Sequence, residues 1–111
     1  MEKEKVEKAR EQAKKNLEIL QNLIKENKLP QYRALTRKER KNMTEAGVNV
    51  YYAKIDENTT VQKLYEQMTD WILDNVFPDF NFDDLDNGLC TAFATKCFAM
   101  TYSDNLAEKN L

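Results

Sequence analysis

The residues with the richest coordination chemistry lie in one loop, Asp79, Asn81, Asp83, Asp84 and Asp86. Oxygen ligands at alternate positions open a calcium-binding EF-hand loop. The pattern then departs from that template, because Asp84 stands where the loop needs glycine and Cys90 where it needs a bidentate glutamate. The loop therefore reads as an acidic entry to a following helix, with Asp79, Asp83, Asp84 and Asp86 forming a local negative patch. Cys90 and Cys97 are seven positions apart on the predicted last helix. Two turns separate such thiols by about 10 Å, too far for a disulfide, so both read as small core hydrophobes. Asp70 and Asp74 are four apart and could share a proton or a metal, yet they read as a solvated helix edge beside Trp71 and Leu73.

A basic cluster, Lys25, Lys28, Arg33, Arg37, Lys38, Arg40 and Lys41, is opposed only by Glu26 and Glu39. Such a face can bind phosphates, with Tyr32 available for stacking. The overall acidity, with an isoelectric point near 5.2, disfavours nucleic acid as the partner. A solvated or protein-facing basic surface is the better expectation.

Composition removes most catalytic classes. Histidine is absent, and with it every Ser/His or Cys/His pairing. Two cysteines without an imidazole cannot complete a four-ligand zinc site. The two glycines, Gly47 and Gly88, cannot build a phosphate-cradling loop. No enzyme, metal or cofactor is expected. At 111 residues the chain is one domain, 1–111. It shows neither a secretory leader nor an apolar run long enough for a membrane span, so the expected setting is cytoplasmic. Residues 1–47 carry 13 Lys/Arg against 8 Asp/Glu (+5), and residues 48–111 carry 4 against 11 (−7). That asymmetry either neutralises itself inside the fold or meets a partner or a second copy.

Four helices must position these groups. Residues 2–28 carry a stripe of Val6, Ala9, Ala13, Leu17, Leu20, Leu23 and Ile24 at three- and four-residue steps, ending before Pro30. The stripe is thin before Leu17, so the start of this long charged helix reads as an arm able to project and self-associate. Thr36 and Glu39 form a capping box for a helix over about 37–46, which Gly47 stops. Val48, Val50 and Tyr52 alternate with Asn49, Tyr51 and Ala53, so 48–55 reads as an extended loop or an edge strand. Thr59 or Thr60 caps a helix over about 60–77 with a broad apolar face from Val61 to Phe77. A last helix, about 86–102, buries Leu89, Ala92, Phe93, Cys97, Met100 and Phe98. The expected fold is all-α: a small four-helix domain with a long charged N-terminal helix and one short extended segment near 48–55.

The order of features from Leu35 onward resembles a known family. The basic start Leu35-Thr36-Arg37-Lys38-Glu39, the Gly47 stop, the irregular aromatic segment, Asp70-Trp71-Ile72-Leu73-Asp74 and then Pro78-Asp79-Phe80 resemble the small tail assembly chaperones of tailed phages and Gram-positive prophages. The resemblance covers roughly residues 33–102 and leaves helix 2–28 without a counterpart. It implies a non-enzymatic, mainly helical protein that coats the aggregation-prone tape measure protein, helps deliver tail tube subunits and self-associates. Some members are extended by programmed frameshifting. Candidate partner-binding residues are Arg33, Arg37, Lys38, Arg40, Lys41, Met43, Tyr51, Tyr52, Asp79, Asp83, Asp84 and Asp86. The competing expectation is a small phage or mobile-element inhibitor whose aspartates mimic phosphates and block a host nucleic-acid-binding protein.

Overall fold

The computed structural model describes residues 2–104. They form α1 (Glu2–Lys25), α2 (Arg37–Glu45), α3 (Val61–Val76) and α4 (Asn87–Ala99), followed by a π-helical segment, Met100–Asp104. The all-α expectation holds: among the described residues there is no strand, and the only β pairing is an isolated bridge between Asp56 and Thr59.

The helix α4 is the hub of the domain, packing on both α3 and α1, while α2 packs on α3. It can be central because apolar residues surround it, with Cys90, Phe93, Ala94, Cys97 and Phe98 buried. The Phe93 ring lies 5.0 Å from Tyr32, 5.2 Å from Phe77 and 5.4 Å from Phe82. One side chain of α4 thus joins the segment after α1, the end of α3 and the acidic loop. Tilted and edge-on aromatic pairs of this kind add about 0.5–1.5 kcal/mol each beyond area burial. Leu20 from α1, Met43 from α2, and Met68 and Ile72 from α3 complete the solvent-free centre.

Local chemistry sets each boundary. The helix α1 stops three residues short of the expected position because Asn27 turns into the left-handed region at φ 62°. The Asn27 N–H donates to the Ile24 carbonyl and the Lys28 N–H to the Leu23 carbonyl, which is a Schellman ending. The capping box of α2 is present, with Thr36 Oγ1 accepting from the Glu39 N–H and the Glu39 carboxylate accepting from the Thr36 N–H. Gly47 follows α2 at φ 79°. Of the two candidate caps for α3, Thr60 is the one used, accepting from the Lys63 N–H. Asp86 holds the N-cap position of α4 without a side-chain cap bond.

Residues 48–55 do not pair as a strand. Asn49 is 1% exposed, and its backbone carbonyl accepts from the N–H groups of Tyr52 and Ala53, which winds the chain into a turn at 50–52. The π segment after α4 is anchored by Thr101, whose hydroxyl donates to the Cys97 carbonyl and accepts from the Leu35 N–H. The N-terminal helix both docks and projects. Leu20 is fully buried and Leu23 and Ile24 are half-buried, whereas every residue from Lys3 to Lys15 is exposed.

Candidate functional site

Three surfaces bear on function, and the first is a groove in the angle between α1 and α4. It has a volume of about 400 Å³ and is open along one side. Ala13 and Leu17 of α1 form one wall; Ala92, Thr95 and Ala99 form the other, with Lys96 at the edge. The residues Gly88, Ala92, Thr95 and Ala99 recur at steps of four, three and four, so α4 turns a face of small side chains outward while its large ones fill the core. At Gly88 a methyl group would sit 3.7 Å from Asn16 Nδ2, an ordinary contact, so α1 and α4 approach closely there. None of these groove residues was in the partner-binding set from sequence. Their spacing was the available signal, but small residues on an apolar helix also read as core.

The second surface is an acidic cleft of about 520 Å³. Asp70 and Asp74 from α3 and Asp83 from the loop carry its charge, and Leu73, Phe80 and Cys90 give it an apolar floor. Burial raises the Asp70 carboxyl above its ordinary value, and Asp74 and Glu66 push in the same direction. Burial likewise raises the Cys90 thiol, with Asp70, Asp86 and Asp83 adding to the effect. Of the four aspartates expected to act together, only Asp83 lines this cleft. Asp84 lines a smaller neighbouring hollow, and Asp79 and Asp86 are exposed and line neither. The loop is shaped by Asn81, whose Oδ1 accepts from the Asp83 N–H at 2.8 Å. Among the described residues, no three His, Cys, Asp or Glu side chains are grouped so that they could hold a metal.

The third surface is the basic and aromatic end, and here the structure separates the expected residues. Arg33 is a structural clamp. Its two terminal nitrogens donate to the two oxygens of Glu39, each at 2.8 Å, and Nη2 also donates to the Val76 carbonyl at the end of α3. Its guanidinium lies 5.5 Å from the centroid of the Phe77 ring. The hydrogen bonds from Arg33 hold the Glu39 carboxyl down at about 2. Met43 is a correction: it is fully buried and is the core anchor of α2, because a nine-residue helix with otherwise polar side chains has no other group to bury. Tyr32 is not free to stack on a base, since its ring lies on Phe93 and its hydroxyl is buried. Arg37, Lys38 and Lys41 remain exposed and Arg40 half-buried.

Tyr51 and Tyr52 are exposed as expected, at 62% and 64%, with Ile55 beside them in sequence at 62%. What holds them out is Asn49. Its Nδ2 donates to Thr44 Oγ1 and to the Tyr102 hydroxyl, and its Oδ1 accepts from the Tyr51 N–H, each at 3.0 Å. Tyr51 leans on Phe98 and Tyr102 at 5.1 and 5.0 Å. Sequence reading missed Asn49, because one asparagine in an alternating apolar run looks like an outward-facing strand residue.

No family model, curated protein or solved structure matches this chain. Among the described residues, no helix is long and apolar enough to cross a membrane.

Proposed function

We propose that the chain is a non-enzymatic protein-binding domain that takes an apolar helix into the α1–α4 groove. On the resemblance over residues 33–102, that helix belongs to a phage tape measure protein and the chain is a tail assembly chaperone. The groove carries the binding part of this reading. It is apolar, open and walled by small side chains on α4, and helices lay their apolar faces into such grooves. Both cysteines are buried and burial raises their thiols above the ordinary value, so neither is set up as a nucleophile.

The test is fluorescence anisotropy of a labelled amphipathic helical peptide with one Leu-rich face. Binding is expected near the micromolar range and should persist from about 50 mM to about 500 mM salt, since apolar contacts are not screened. Ala99→Arg, which places a long side chain in the groove at an exposed position, should weaken binding at least about tenfold. Equal affinity for that variant would overturn the groove as the site. Binding confined to a basic protein probe and lost as salt rises would instead favour the phosphate-mimicking inhibitor.

A further inference from the structure

We infer that, without a client, the groove is covered by α1 of a second copy, the two α1 helices pairing antiparallel about a two-fold axis. This deepens the groove reading by naming what regulates access to it. The apolar line of α1 does not stop where the body stops. From the buried Leu20 it continues outward through Leu17, 38% exposed, and Ala13 to Val6, 50% exposed. The steps between these residues are three, four and seven, the spacing of a helix-pairing seam. A stripe continuous from core to solvent is half-satisfied by its own domain.

Charge selects both the occupant and its direction. With the axis midway between Arg10 and Ala13, Val6 packs on Leu17 of the second copy and Arg10 beside the short side chain of Ala13, which leaves room for the arginine stem. The flanking positions then set Glu7 opposite Lys14 of the second copy, and symmetry repeats that pair on the other side. A parallel pair would stack Arg10 on Arg10 and Lys3 on Lys3 and would form neither pair. Within one chain these charges are available: among the described residues the ion pairs are Lys28 with Glu26 and Arg33 with Glu39.

Size points the same way. Residues 6–17, outside the fully buried Leu20, form a contact about 18 Å long, at about 1.5 Å per residue. The second copy's helix also meets Ala92 and Ala99 across the groove. That widens the contact toward the roughly 1,000 Å² a specific interface needs.

Sedimentation equilibrium of the full chain at low salt, with no client present, tests the inference. A reversible monomer–dimer equilibrium is expected. Glu7→Lys and Lys14→Glu, both at exposed positions, should each weaken it about fivefold or more, because each creates two repulsive contacts in place of two attractive ones. The double variant E7K/K14E should recover the parent affinity to within about twofold. Circular dichroism should show the same helix content in all four proteins. A monomer up to about 1 mM, an open-ended polymer, single variants that dimerise like the parent, or a double variant that does not recover would each overturn it. Peptide binding by a strict monomer sinks this inference alone, and dimerisation without peptide binding sinks only the proposed function.

Discussion

The Tyr32 hydroxyl is buried without a hydrogen-bond partner. A buried hydroxyl in that state costs about 1–3 kcal/mol of desolvation, whereas its ring is held by Phe93. Tyr32→Phe keeps the ring and removes the cost, so thermal unfolding should show a variant as stable as the parent or more stable, by up to about 1 kcal/mol. A clear loss would mean that the hydroxyl has a partner. Glu39 gives the opposite lesson. The Arg33 hydrogen bonds depress its carboxyl to about 2 from an ordinary 4.5, so its stabilisation is complete above pH 4.5 and is lost as pH falls toward 2. Arg33 is partly solvated, which reduces the effect to about 1–2 kcal/mol. Glu39→Gln should therefore lower stability at pH 7 by about that amount and flatten the stability–pH curve between 4.5 and 2. The capping role of Glu39 was legible, because Thr36 and Glu39 stand at the right spacing. The clamp to Arg33 and Val76 was not, since 43 positions separate Arg33 from Val76 and no local pattern signals that pairing.

At the scale of elements, periodicity located α1, α3 and α4, and capping chemistry located α2 and placed most of the helix ends. The errors have separate physical causes. Pro30 is a helix stop in the sequence, but the left-handed Asn27 acts before it. On α4, where apolar residues occur on every side, periodicity could not say which face is inward. It named Leu89, Ala92 and Met100, which are half-buried, and omitted Ala94, which is buried, while thiol chemistry and not periodicity placed Cys90 in the core, where it lies. For residues 48–55 the alternation was real but had no partner strand to act on, and the three side-chain hydrogen bonds of Asn49 decided the shape instead. Replacing Asn49 with Ala leaves the Tyr51 N–H and Tyr102 hydroxyl without these partners, a cost of about 2–3 kcal/mol. Hydrogen exchange should then accelerate at Tyr51, Tyr52 and Ala53 far more than at mid-helix amides of α3. Uniform acceleration through the whole chain would mean that Asn49 supports the core and not just the loop.

For the whole molecule, the basic half of the chain supplies α1 and α2 and the acidic half α3 and the aspartate-rich loop; α2 packs on the acidic α3, whereas α1 packs on α4, whose only charged residue is Lys96. The asymmetry is thus balanced only where α2 meets α3, and both ion pairs among the described residues lie within residues 1–47. The charges on the first turns of α1 take no part in either pair. The same division holds for apolar area: Leu20, Leu23 and Ile24 fix α1 to the body, while Lys3 to Lys14 are all exposed. A chain starting at Lys15 should keep the parent's stability to within about 1 kcal/mol, because no core contact is removed. It should also be monomeric at concentrations where the full chain pairs, since Val6, Glu7, Ala13 and Lys14 are gone. Large destabilisation would show that the first turns pack on their own body, and a dimer that survives the cut would move the contact to another face. Loss of pairing with an intact body would assign the two halves of one helix to different work, the second holding the fold and the first reaching for a partner.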